Sequence, residues 1–342
     1  MRLAARSGSM LMAAGAAVVV LAVASCSGGR QPSSAALPLR AAGEVALPGD
    51  SSRFDYASLD ADRGLLFVAH LGAGEVIEID VRARRVVRTI PNLPQVHGVL
   101  VVPALHRVFA TATGANRMVI LDEDDGTVAG QAATGAYPDG LAYDSRRGAI
   151  WTTNESGGSE TVIDAATGAV RGTVELGGEV GNVAYDPDGD RMLVDVQGRN
   201  DLAVVDPASL TVQRRVPLPG CEHDHGLGLD TADRLAFVAC DGNATLLTVD
   251  LKTEQVLDTH AVGADPDVLA YDQAAHRLYV AAESGVVTVL DLRDRRLSVA
   301  GSGHLADGAH VVAVDPATHH SFYPVPAGAD GRPALLEQEP VG

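Results

Sequence analysis

Two series of anchor residues recur along this chain at a step of 41 to 44 residues, and that period restricts the fold more than any single residue does. One series consists of short apolar runs ending in Asp, at Asp60, Asp144, Asp186, Asp230, Asp272 and Asp315; a further copy, ending Val101-Val102, keeps the register without its Asp. The other series closes at Asp80, Asp122, Asp164, Asp206, Asp250 and Asp291. A spacing of about 40 to 45 residues with four short strands per copy belongs to propeller blades, since leucine-rich repeats are shorter and helical repeats need a 3.6-residue period. Seven copies fit between Phe54 and Pro326.

The sixth copy shows the unit. Val268 to Asp272 reads as a first strand, Arg277 to Ala281 as a second, Val286 to Asp291 as a third and Leu297 to Ala300 as a fourth. The recurrent Asp residues end strands before tight turns, as in Asp164-Ala165-Ala166-Thr167-Gly168, where a carboxylate can accept from backbone N–H groups two or three residues on. Fourth strands such as Val212-Gln213-Arg214-Arg215 are the most polar, which suits an outer edge. The seventh copy supplies His310 to Asp315, Ser321 to Val325 and a strand near Ala334 to Glu337. Its outer strand is expected from Glu44 to Leu47, tying both ends of the chain into one blade.

Residues 1–25 read as a signal peptide, with Arg2 and Arg6 before an apolar stretch from Met10 to Ala24 that is short for a spanning helix. Val23-Ala24-Ser25-Cys26 resembles the bacterial lipoprotein cleavage box, which makes Cys26 the expected lipidation site. Residues 26–43 form the expected flexible tether and residues 44–342 the propeller, exported and held at the cell envelope through lipid alone. The absence of Asp after Cys26 favours the outer membrane over the inner. Loss of Arg2 and Arg6 takes the formal charge from −18 to −20, with Lys252 the only lysine, so the composition argues against nucleic acid. Cys221 and Cys240 sit at the open ends of one hairpin, and in an exported chain an even pair points to a disulfide, worth about 3 kcal/mol on the chain-entropy model. Two thiolates holding a soft metal beside His223 and His225 are the alternative.

Phe67-Val68-Ala69-His70 with Val76-Ile77-Glu78-Ile79-Asp80, Tyr279-Val280-Ala281-Ala282 with Val287 to Asp291, and Trp151-Thr152-Thr153-Asn154 resemble the YVTN-repeat, or YncE-like, family of bacterial seven-bladed propellers. The resemblance runs from about Val45 onward and implies an all-β seven-bladed fold of four-stranded antiparallel blades. It implies little about activity, because related propellers range from lactonases and lyases to passive binding platforms.

Five residues before each anchor, at the mouth of the central channel, stand Asp55, His97, Asp139, Gly181, His225, Asp267 and His310. The loops between second and third strands add His70, Asn154, Glu155, Gln197, Asp241 and Glu283 to the same rim. Six of the seven mouth residues can bind a cation, which makes Asp55, His97, Asp139, His225, Asp267 and His310 the candidate ligand-binding set. One ion can touch only two or three of them directly, so the candidate metal ligands fall into local clusters, Asp265, Asp267 and Glu283 on one side or His223, Asp224 and His225 on another, the ligand-dense stretch Cys221 to Gly226 favouring the second. Imidazoles suit Zn or Cu and carboxylates Ca or Mn, so the mixture leaves a divalent cofactor unspecified. The competing role for the same residues is turn capping around a water-filled channel. No nucleophile elbow, phosphate-cradling loop or H-E-x-x-H motif is present. The leading expectation is a monomeric, non-catalytic envelope protein that binds a small ligand, a metal ion or another envelope protein; a metal-dependent hydrolase or lyase at the same mouth and a purely structural scaffold are the alternatives.

Overall fold

A computed structural model describes residues 35–341. The signal segment and Cys26 lie outside the described residues. Seven four-stranded antiparallel sheets follow one another in a ring. Blade 1 runs from strand Ala57–Asp60 to Arg85–Ile90, blade 2 from Val96–Val102 to Val128–Ala133 and blade 3 from Pro138–Asp144 to Val170–Glu175. Blade 4 spans Val183–Asp186 to Thr211–Pro217, blade 5 Asp224–Asp230 to Gln255–Ala261 and blade 6 Pro266–Asp272 to Arg296–His304. Blade 7 joins Ala313–Val314, Ser321–Val325 and Ala334–Pro340 to an outer strand from the other end of the chain, Leu39–Ala46. That closing strand begins at Leu39 rather than Glu44, so residues 39–43, read above as tether, are part of the sheet. The first strand of blade 7 is shorter than expected and leaves His310 in the loop before it.

The ring is held by apolar layers between blades. Second strands are buried on both faces and alternate between neighbours: Phe67 packs toward Val99 and Val108 of blade 2, whereas Leu66 and Val68 pack toward Val45 and Phe322 of blade 7. Trp151, Ala142 and Val162 of blade 3 meet Met192 and Val194 of blade 4; Phe237 of blade 5 meets Leu278 and Val280 of blade 6. Truncating such an aromatic to Ala costs about 3–5 kcal/mol. Tyr271 adds a polar tie, its hydroxyl donating to Asp230 Oδ2 of the preceding blade at 2.7 Å.

The anchoring Asp residues form turns as expected. Asp144 Oδ1 accepts from the N–H groups of Arg146 and Arg147, and Asp60, Asp164, Asp206, Asp230, Asp250 and Asp272 repeat the pattern. Asp291 breaks it. The third strand of blade 6 continues to Arg293, the chain reverses over Asp294 and Arg295 with positive φ at both, and Asp291 instead accepts from Arg277 Nε at 2.8 Å. Cys221 and Cys240 are joined by a disulfide with Cα atoms 5.4 Å apart, which leaves no thiolate pair for a metal. Among the described residues no helix is long and apolar enough to cross a membrane.

Candidate functional site

The mouth is built by the starts of the innermost strands. His97, Asp139, His225 and Asp267 lie within their strands rather than just before them, while Asp55 and His310 precede theirs. The ladder register slips between Val96 and Val99, Pro138 and Leu141, Asp224 and Gly226, and Pro266 and Leu269, so each of these strands opens on a bulge that re-aims its first side chains. Close approach of neighbouring blades depends on glycine. A Cβ on Gly98 would sit 2.2 Å from the Asp139 carbonyl, and one on Gly226 would sit 2.3 Å from that of Asp267. Deeper in the channel, Asn182 Nδ2 of blade 4 donates to the Tyr56 hydroxyl of blade 1 at 2.9 Å, a bond across the axis that floors the mouth.

Blades 1, 2 and 3 bring Asp55, His97 and Asp139 together, one ligand atom from each lying within 4.8 Å of the others. All three are buried. Asp55 Oδ2 and Asp139 Oδ1 have no hydrogen-bond partner, and Asp55 Oδ2 is 3.8 Å from His97 Nε2. His97 Nδ1–H donates to the Gln95 carbonyl at 2.8 Å, which leaves Nε2 as the acceptor nitrogen, facing the Tyr137 hydroxyl at 3.1 Å. Burial pushes the His97 imidazole down, so it is neutral, and burial together with the neighbouring carboxylates holds Asp55 well above the usual range. Burial also lifts Asp139 to about 6, against the opposing charge of His225.

The wall made by blades 5, 6 and 7 pairs a histidine with a carboxylate. His225 Nε2 is 3.2 Å from Asp267 Oδ1. Burial opposes charge on this imidazole, but the hydrogen bond and field of Asp267, with Asp139 and Glu155, raise it to about 10. Burial alone would raise Asp267, yet His225, His310 and Arg53 hold it below the ordinary value. Arg53 reaches over from the loop before blade 1, with Nη2 3.7 Å from Asp267 Oδ2 and 3.9 Å from Asp55 Oδ1, and Nη1 bonded to Glu283. Asp55, Asp267 and His310 form a second triad of ligand atoms within 4.8 Å, with His310 Nε2–H donating to the Phe54 carbonyl at 3.0 Å and Nδ1 unpartnered. Two cavities flank these groups. One, of about 140 Å³, is lined by Asp55, Tyr56, His97, Tyr137 and Asp139; the other, of about 170 Å³, by Gln197, His223, Asp241, Asp265 and Glu283; Arg53, Glu155, His225 and Asp267 border both.

Of the predicted metal ligands, His223, His225, Asp267 and Glu283 border the 170 Å³ cavity, and Asp224 does not. His223, at φ +61, pairs with Asp241, 2.7 Å away, and the Asp224 carboxylate turns between blades 4 and 5 and accepts from Val196 N. Of the loop residues, His70 is buried against Phe54, with ring centroids 4.3 Å apart, and Asn154 bonds Ser159 and Thr161, so neither borders either cavity. Arg53 and Tyr137 were not anticipated. A residue two before Asp55 had no place in the blade register, but the His97-Gly98, Asp139-Gly140 and His225-Gly226 pairs were a readable sign of how closely the blades meet. His319 and His320 pair with Asp272 and Glu337 away from the mouth.

Fold and mouth together define a seven-bladed β-propeller with a charged, floored axial depression. A family model described as YNCE-like beta-propeller matches residues 49–314, and the chain belongs to that family. Comparison with curated proteins finds no match.

Proposed function

We propose that this propeller is an exported, lipid-tethered binding protein of the cell envelope whose mouth holds a divalent cation on Asp55, His97 and Asp139. The observation that carries the cation assignment is the pair of buried oxygens, Asp55 Oδ2 and Asp139 Oδ1, left without partners beside a neutral imidazole. Leaving such groups unsatisfied costs about 1–3 kcal/mol each, more when charged, and a divalent ion removes that cost. Carboxylate, carboxylate and imidazole suit Mn or Zn, and the Nδ1–H bond from His97 to Gln95 is the outer contact that orients a metal-bound histidine. An ion there would take the place of the Tyr137 hydroxyl at Nε2. The Cys221–Cys240 disulfide supports an oxidising compartment.

Equilibrium dialysis against Mn²⁺ and Zn²⁺ tests the site. The wild type should retain an ion that Asp55→Asn and Asp139→Asn lose, while His225→Ala, on the opposite wall, keeps it. No retained ion, or equal binding by all variants, would overturn the reading. A metal-dependent hydrolase is the second reading, favoured by the 140 Å³ cavity beside the triad, which leaves room for water and a small substrate. Metal-stimulated turnover of a lactone and ester panel, abolished by Asp55→Asn, would favour it.

A further inference from the structure

Asp55 belongs to both triads, and its two oxygens face different ways. Oδ2 looks toward His97; Oδ1 looks toward Arg53. The Arg53 guanidinium is not bonded tightly to either buried carboxylate, because 3.9 Å to Asp55 and 3.7 Å to Asp267 exceed hydrogen-bond range. Its close partner is Glu283, at the more exposed edge of the rim. Beside that guanidinium, Asp267 Oδ2 is 4.0 Å from His310 Nε2, while Asp267 Oδ1 is taken up by His225; the buried His310 Nδ1 has no hydrogen bond and lies 3.4 Å from Glu283 Oε2. A charged group thus stands beside Asp55 and Asp267, two members of the triad that His310 completes, without bonding either closely.

We infer that the mouth has two cation positions bridged by the Asp55 carboxylate, and that Arg53 fills the second with its own guanidinium, limiting the wild type to one metal ion. This inference rests on the reading of the Asp55, His97 and Asp139 triad as a cation site. Carboxylate-bridged ions stand about 3.5–4 Å apart in two-metal sites, a separation that one carboxylate serving both triads can span. Arg53 carries a permanent charge at every physiological pH, so the second position is neutralised without a metal. Its 42% side-chain exposure means that replacing it removes little packing.

The experiment is Mn²⁺ stoichiometry by equilibrium dialysis with electron paramagnetic resonance on wild type, Arg53→Gln and Arg53→Lys. Wild type should bind one equivalent with the six-line signal of an isolated ion. Arg53→Gln should bind a second, and the isolated signal should give way to that of a magnetically coupled pair. Arg53→Lys keeps a tethered cation and should bind one. Two equivalents in the wild type, one in Arg53→Gln, or two uncoupled ions in Arg53→Gln would each overturn the inference while leaving the one-ion reading intact. No bound Mn²⁺ in the wild type would overturn that first reading instead. Unchanged thermal unfolding of the two variants without metal confirms that the ring is intact.

Discussion

Aspartates line both ends of this ring and behave oppositely at each. At the turn face, Asp164 and Asp206 accept backbone N–H groups presented by the next two or three residues; the Arg171 guanidinium, then the Thr167 hydroxyl and N–H, hold the Asp164 carboxyl below the ordinary range, and the Ala208 N–H and Ser209 do so for Asp206. At the mouth, Asp139 sits on a bulged strand start and Asp55 in the loop just before its strand, where no N–H is offered to Asp55 Oδ2 or Asp139 Oδ1, and burial holds their carboxyls above it. The residue type is the same; the supply of local donors differs. A repeated Asp that closes a turn is complete in itself, and one that opens a channel is complete only with a partner.

Exchanging Asp for Asn at the two ends is the sharpest way to break this contrast. Asp55→Asn should weaken Mn²⁺ or Zn²⁺ binding by roughly 100-fold or more, since even outer-shell partners are worth about 10–100-fold. Asp206→Asn, which keeps an acceptor for Ala208 and Ser209, should leave metal affinity unchanged; comparable losses in both titrations would sink the distinction. Next in size is the disulfide, which closes a loop of sequence separation 19 beside blade 5. The Cys221→Ser, Cys240→Ser double variant should lose about 3 kcal/mol in urea unfolding while the blade 1 to 3 triad still binds metal. Loss of metal binding with stability unchanged would reverse the assignment of the two walls.

Glu160 supplies a carboxylate that belongs to neither end. It lies buried in blade 3, neither oxygen has a partner, and burial raises its carboxyl well above the ordinary value. The unfolded chain releases this proton first as pH rises, so the folded state loses stability from about pH 4.5 upward. Glu160→Gln should therefore raise the unfolding midpoint at pH 8 and have little effect near pH 4. A gain of equal size at both pH values would mean that charge burial is not the cost. The smallest effect belongs to Asp206→Ala, about 1 kcal/mol for its turn bonds, read from the same urea curves.

Most of the fold was legible because a period of forty-odd residues makes each copy vouch for the others. Counting back from Tyr143-Asp144 or Tyr271-Asp272 found Asp139 and Asp267 without any knowledge of their contacts. What failed was local. Asp224 adjoins His225 in sequence, but the bulge between them turns its carboxylate into the seam between blades 4 and 5, and the left-handed backbone at His223 directs that ring to Asp241. Arg53 was missed because its position depends on Glu283, 230 residues away, and no spacing rule inside one copy reports such a bond. The closing strand was found but started late, since its extent is set by Ala334–Pro340 and not by its own composition.

That closing strand has a consequence for the order of events during synthesis. Leu39–Ala46 is made before the other described strands, yet its hydrogen-bonding partner, Ala334–Pro340, is made after all of them. Intermediate blades can form as they emerge, but the circle cannot lock until Ala334–Pro340 has emerged, and until then the leading strand remains an unpaired β edge open to misassociation.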